Sequence, residues 1–358
     1  MPNLQTIRAA IQELPEDAPL VVALFGGTTG IGSYIARTWA TTFTKHGPKL
    51  RFCRESSPGS DWRFIQAAEL SLMSEVDKVS QDIIQQEEHM PLPGGAAKLD
   101  ALYPNQAQSH FKITSEGVDT QISLLYYSRM RLIQTLSPLL LACTMPAHAI
   151  SVFAGNMEDS IKRGELPIST PLMGKYSLNS VRKHTTFMKT FFFEELAEKH
   201  ARKISLIHIY PGLVDGPTFY SDANPLWVRI AWRVLKPLAS WYMTSPEVCG
   251  QVMVFLATNR YPAKGTMTER IGASPKYVLA FSSQIELGGG SYAGGQRGDE
   301  IKSASWAKVR KQDTGKKICD HTMKVLVPES YISYFRVDHT MADSMPGFAV
   351  ALRLFDEG

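Results

Sequence analysis

Four cysteines in 358 residues, Cys53, Cys143, Cys249 and Cys319, are too few and too scattered for a disulfide framework. No C-x-x-C pair or secretory pattern accompanies them, so the expectation is reduced thiols in a cytoplasmic protein, and no metal-ligand spacing is present. No apolar run reaches the roughly 18 residues of a membrane span, which predicts a soluble chain. A large excess of charge of one sign is lacking as well. The net charge is only +4, and the one dense basic cluster, Lys308, Arg310, Lys311, Lys316 and Lys317, reads as a solvated face rather than a nucleic-acid groove. Internal repeats and a second glycine fingerprint are also lacking.

What is present is an ordinary folded composition, 44% apolar and 20% charged, in a length that suits one large α/β domain with an appendage. The most informative stretch is Leu20 to Phe43. Leu20-Val21-Val22-Ala23-Leu24-Phe25 is apolar without alternation, as a strand covered on both faces should be. It feeds into Gly26-Gly27-Thr28-Thr29-Gly30-Ile31-Gly32. Beyond the glycines, Ile35, Ala36, Trp39, Ala40 and Phe43 recur at helical spacing. Glycines let a backbone approach an anion closely, and the unpaired N–H groups of the first helical turn supply hydrogen bonds and positive charge. This is the pattern of a pyrophosphate site.

The spacing G-x-x-x-G-x-G resembles the nucleotide turn of the short-chain dehydrogenases/reductases, and later stretches resemble a divergent fungal branch of that family. Phe25 stands where the family usually has a Thr. The resemblance implies a Rossmann-type, doubly wound parallel sheet over residues 20–324. A helical extension (1–19) would precede it, a substrate lid lie at about 217–244, and a tail (325–358) follow. It also implies NADP-linked reduction of a carbonyl or oxidation of an alcohol on a small molecule, without nucleic acid and with homo-oligomerisation left open. The other reading is a catalytically impaired nucleotide-binding regulator or scaffold of the same fold.

Residue by residue, the cofactor set implied is Gly26, Thr28, Gly30, Ile31 and Gly32 at the first turn, with Arg54, Glu69, Asn105, Pro211, Gly212 and Val214 beyond it. Arg54 follows the second strand, Leu50 to Cys53, where a base favours NADP. Trp62 to Ala67 reads as the third strand, which leaves residues 55–61 too short and too rich in Ser, Pro and Gly for a helical crossover. Glu69 replaces the family's adenine-contacting Asp. Ser74 to Asp77 reads as a capping box. After a fourth strand, Leu99 to Tyr103, only Asn105 matches the family's Asn-Asn-Ala-Gly. A long helix is expected from Thr114, and Leu125 or Tyr126 stands where an Asn relay residue belongs.

The catalytic set implied is Tyr176, Ser151 and Lys183. In the family's Tyr-x-x-x-Lys motif a phenol handles the substrate proton and a lysine one turn on lowers its pKa. Here the lysine position holds Ser180. Lys183, seven residues past Tyr176, would share its helix face at about −20°. Ser151, at the end of a strand from Ala149 to Phe153, stands one residue before the family position, Val152, so alternation turns it to the other face. After a sixth strand from Ile204, Pro211-Gly212-Leu213-Val214 matches the nicotinamide turn, with Thr218 displaced. The lid, Pro225 to Tyr242, is rich in Trp, Leu and Ile and implies a fairly large apolar substrate; a membrane-surface helix has the same look. Tyr277 to Phe281 reads as the last strand and Gly288 to Gly298 as a loop.

Overall fold

The computed structural model describes residues 2–16, 19–44, 50–53, 61–92, 95–107, 112–152, 167, 168, 171, 176–216, 220, 226–239, 241–266, 278–301, 310 and 313–326. Residues 54–60, which include Arg54 and all of the second crossover but Asp61, together with Phe153, Thr218, Tyr277 and residues 327–358, lie outside them.

Seven strands form one parallel sheet. They are β1 (Leu20–Phe25), β2 (Leu50–Cys53), β3 (Asp61–Trp62), β4 (Ala101–Pro104), β5 (Ala147–Val152), β6 (Ile204–Ile209) and β7 (Ser291–Gly294). Their order is β3-β2-β1-β4-β5-β6-β7, which makes β1 and β4 neighbours from which the chain winds in opposite directions. The crevice at the carboxyl ends of such a pair is where doubly wound sheets bind ligands.

Helices cover both faces, which is why β1 is apolar throughout. On one face lie α1 (Leu4–Glu13), α2 (Gly30–Phe43) and α9 (Pro246–Phe255), whose Ile11, Trp39 and Phe255 meet Val22, Leu24, Ile150 and Val152. The other face carries α3 (Met73–His89), α4 (Thr120–Ile122), a π-helical segment (Ser123–Tyr127), α5 (Ser128–Thr135), α6 (Ser137–Leu141), α7 (Leu178–Lys199) and α10 (Thr314–Leu326). These bury Val21, Ala23, Phe25, Ala147 and Ala149. Between β6 and α9 in sequence runs α8 (Leu226–Ala239).

Several expected elements change. The third strand is two residues long, Asp61 and Trp62 pairing with Arg51 and Phe52. Its edge is held instead by charge: the buried Arg51 guanidinium donates to Asp61 at 2.7 Å and to Glu87 of α3 at 3.0 Å. The start of α3 is not a capping box; Glu116 accepts the N–H groups of Met73 and Ser74, at 2.6 and 3.0 Å. The long helix starts at the Asp119 cap rather than at Thr114, since Gly117 has φ 78° and closes a turn. The last strand falls inside the glycine-rich stretch read as a loop. There Ser291–Gly294 is buried and pairs with β6, and Gly290, at φ 83°, packs where a Cβ would lie 2.6 Å from the Lys264 backbone nitrogen. Within the helical extension, α1 lies on α9, with Arg8 donating to Glu247 and Gln251.

Candidate active site

The glycine turn sits at the carboxyl end of β1. Gly26 has φ 69°, and a Cβ there would lie 2.8 Å from the Gln106 Cα. At Gly32 a Cβ would press on the Gly26 carbonyl and lie 2.6 Å from the Gly27 Cα, so α2 can pack this tightly only on a glycine. Gly30 differs: its φ is 57°, and the space its side chain would fill is open. Thr29 caps α2 without a side-chain hydrogen bond, and no acid lies in the first turn. The first N–H groups, Ile31 and Gly32 included, are thus left for an anion beside Thr28.

Asn105 braces this turn by donating to the Gly26 carbonyl at 3.0 Å. Beside it, residues 64–67, Leu70, Val79 and Ile83 form a cleft of about 280 Å³ that reaches Gly26, Gly27 and Thr28. Glu69 is not in its lining; its carboxylate accepts the Ser71 hydroxyl at 2.7 Å.

At the ends of β4 and β5 the centre is Arg129, fully buried. Its Nε donates to the Leu124 carbonyl at 2.8 Å, Nη2 to the Gln106 carbonyl at 2.8 Å, and Nη1 to Ser151 Oγ at 2.9 Å and to the Val152 carbonyl. No carboxylate pairs with it among the described residues. Burial lowers its pKa to about 9, so it is still a cation at neutral pH. The π segment supplies one of these acceptors, the Leu124 carbonyl, five residues before Arg129. Strand alternation places Ser151 on this helix-covered face with Ala147 and Ala149, and Val152 on the other.

Tyr176 stands just before α7, not within it. Ser177 is the N-cap in extended conformation, and Ser177 and Ser180 form a reciprocal capping box. The helical phase that would relate Lys183 to Tyr176 therefore does not apply, and Lys183 lies half-buried on α7. The Tyr176 hydroxyl donates to the Asp119 carboxylate at 3.0 and 3.1 Å and lies 3.1 Å from Gln121 Oε1. Burial first, then the hydrogen bond to Asp119, raise the Tyr176 pKa. Its described partners differ from those of Ser151.

The turn after β6 is tied on two sides. Gly212 has φ 75°, Val214 bridges to Thr244, and Tyr34 of α2 donates to the Asp215 carbonyl at 3.0 Å. Lys236 of α8 pairs with Asp215 at 3.0 Å, which holds α8 beside Pro211–Val214.

No protein-family model matches the chain. It is 49% identical over 346 residues to the short-chain dehydrogenase/reductase SAT2 of Stachybotrys chartarum, covering 91% of this chain and 97% of that protein. The chain belongs to the short-chain dehydrogenase/reductase family. It is an oxidoreductase, which replaces the scaffold reading. It is also 31% identical over 355 residues to the oxidoreductase AN1596 of Emericella nidulans, covering 91% of this chain and 98% of that one. Among solved structures, the Pseudomonas aeruginosa RhlG/NADP complex aligns with a TM-score of 0.47 at 20% identity, over 67% of this chain and 90% of that one.

As a short-chain dehydrogenase/reductase this chain departs from the pattern at its centre. Arg129, which the sequence reading gave no role of its own, bridges the π segment to Ser151. A signal was available: Arg129 lies one turn from Leu125 and Ile133, on a face otherwise apolar. Tyr126 and Tyr127 meet Thr322 and His321 of α10 at 2.6 and 2.7 Å, while Ser128 accepts from Gln106 at 2.9 Å. Arg131 binds Asp77. The stretch Tyr126 to Arg131 thus joins four elements around one buried cation.

Proposed function

We propose that this oxidoreductase uses NADPH to reduce the carbonyl of a fairly large apolar metabolite, with a role in fungal secondary metabolism. The observation that carries the reading is the Gly26–Gly32 turn, where the open space at Gly30 and the uncapped start of α2 fit a pyrophosphate. NADPH, when bound, supplies the hydride. Gly26, Thr28, Gly30, Ile31 and Gly32 hold the phosphates, Asn105 keeps the turn in shape, and the cleft at residues 64–67 receives the adenosine end, with Arg54 at the ribose phosphate. Pro211, Gly212 and Val214 line the nicotinamide side.

The carbonyl oxygen needs a proton, and Tyr176 is the donor. A phenol whose pKa is raised stays protonated and serves reduction better than the reverse reaction, which would need the phenolate as base. Ser151 accepts from Arg129, so its own proton is left to donate. Arg129 is the cation hydrogen-bonded to Ser151. The relatives' fungal sources support the place in metabolism, and the cytoplasm suits scattered thiols.

Fluorescence titration tests the cofactor assignment: NADPH is expected to bind more tightly than NADH. Tighter NADH binding, or binding of neither, defeats it. Consumption of NADPH over a panel of apolar ketones and aldehydes then tests the reaction.

A further inference from the structure

Between Asp222 and Glu247 the chain holds no acidic residue, yet it carries Arg229, Arg233 and Lys236. Within this stretch α8 places Leu226, Ile230, Val234, Trp227 and Leu238 inside an arc of about 120°, at roughly 100° per residue. All five are exposed, Trp227 by 72% and Leu238 by 71%. Just past the helix, Trp241 and Tyr242 are exposed by 91% and 80%. Arg233, also exposed, borders the apolar arc, with Arg229 next to it on the wheel. Lys236, further round, faces the body of the protein through Asp215.

A contiguous apolar face of this size on a soluble domain marks an interaction surface. Its composition selects the occupant. A second copy docking through the same face would bring two basic borders together, because a two-fold contact repeats the same patch on both sides and the segment has no acid to pair them. A bilayer with anionic headgroups suits this face: hydrocarbon for the Leu, Ile and Val side chains, an interfacial layer suited to Trp and Tyr, and negative charge for Arg233.

We propose that α8, with Trp241 and Tyr242, docks this protein onto the surface of anionic phospholipid bilayers, lying in the interface rather than spanning it. Among the described residues no helix is long and apolar enough to cross a membrane. Docking stands independently of the cofactor assignment. Joined to it, the Lys236–Asp215 pair and the Val214–Thr244 bridge place the substrate side of the site at the bilayer, where apolar metabolites concentrate.

The test is co-sedimentation of the full-length protein, without nucleotide, with vesicles of phosphatidylcholine alone or mixed with phosphatidylserine. Binding is expected to the mixed vesicles, to weaken as salt rises, and to be lost in the Trp227→Ser/Trp241→Ser double variant. Arg233→Glu is expected to lower partitioning at least about fivefold, the worth of one cation near the surface. Unchanged melting temperatures show that these exposed substitutions leave the fold intact. Sedimentation velocity without vesicles covers the competing occupant. No binding to either vesicle, wild-type binding by the double variant, equal binding to uncharged vesicles, or a dimer that the double variant dissolves would each overturn the proposal.

Discussion

Arg129 Nη1 donates to Ser151 Oγ across 2.9 Å inside the core, and the same guanidinium reaches carbonyls of three separate backbone segments. An arginine buried among neutral acceptors is costly, because a charge leaves water without a counter-ion. What it obtains in return is a fork that fixes three backbone ends in one plane. The turn at Gln106, the end of β5 and the π segment therefore keep a common register behind the crevice at the strand ends.

Replacing Arg129 by Met fills most of the volume but leaves four acceptors without their donor. The expected loss is about 3–5 kcal/mol of stability, as for other broken buried polar networks. Arg129→Lys retains charge without the fork and should recover only part of it. Urea unfolding of the three proteins checks this; equal midpoints would show that the guanidinium is dispensable.

The two inner glycines of the nucleotide turn should respond differently. Gly32→Ala forces a methyl group against the Gly26 carbonyl and the Gly27 Cα, which strains the turn itself and should cost about 1–3 kcal/mol. Gly30→Ala meets no neighbour, so its stability cost is the left-handed backbone alone, about 1–2 kcal/mol. Nucleotide should notice it more, since the methyl projects into the space left for phosphate. Thermal melts with and without NADPH separate the effects: Gly30→Ala is expected to abolish the NADPH-induced shift while keeping the larger share of the melting temperature.

Much of this was readable along the chain, for reasons that differ by element. The turn was legible because glycine at Gly26, Gly30 and Gly32 answers local demands of backbone angle and crowding. The bounds of β2 matched, and β6 began where Ile204 suggested, because short strands rich in Leu, Ile and Phe lie between the Gly-Pro pair before Leu50 and the Pro-Gly pair after Tyr210. β7 was missed since Gly288 to Gly298 reads locally as loop, whereas its strand exists only through pairing with β6 and the close approach that glycines permit. The caps misled where a distant residue did the capping: Glu116 serves α3 from across the fold. Arg129 was given no role because its partners come from the turn after β4, from β5 and from its own π segment, which no spacing rule anticipates. Likewise the Tyr-x-x-x-Lys comparison assumed one helix through Tyr176, yet the Ser177–Ser180 box starts α7 after it.

Acid should destabilise the fold through its buried histidines. Burial lowers the pKa of His148 to about 4 and, with Lys189 adding to it, that of His208 to about 3, from an ordinary 6.5. The folded pKa lies below the unfolded one, so protons favour the unfolded chain first. Stability is therefore full above about pH 6.5 and falls as pH drops toward 3 to 4, by several kcal/mol in all at about 1.4 kcal/mol per unit. Asp100 and Glu87, raised by burial, oppose part of this. Denaturation midpoints at pH 7 and pH 5 measure the slope, and His208→Gln should flatten it; a slope unchanged by that substitution would exclude His208 as a source.

Tyr176 and Asp119 give the sharpest test of the chemistry. If Tyr176 donates the proton, Tyr176→Phe should leave the fold and NADPH affinity nearly unchanged while turnover falls by about 10² or more, the worth of a general acid. Asp119 sets when that acid is available. Its carboxylate accepts the phenol proton and helps to raise the Tyr176 pKa, so reduction should persist to high pH without a falling limb near 10. Asp119→Asn keeps an acceptor at the α4 cap, where Ile122 donates at 2.8 Å, but removes the negative charge. The Tyr176 pKa should then move down toward its ordinary value, and the alkaline limb of the kcat profile should shift to lower pH. Measured over pH 6 to about 11, within reach of a phenol whose ordinary pKa is about 10, the two profiles should separate only on the alkaline side. Coincident profiles, or equal turnover in wild type and Tyr176→Phe, would remove Tyr176 from the reaction and leave Ser151, held by Arg129, as the remaining donor.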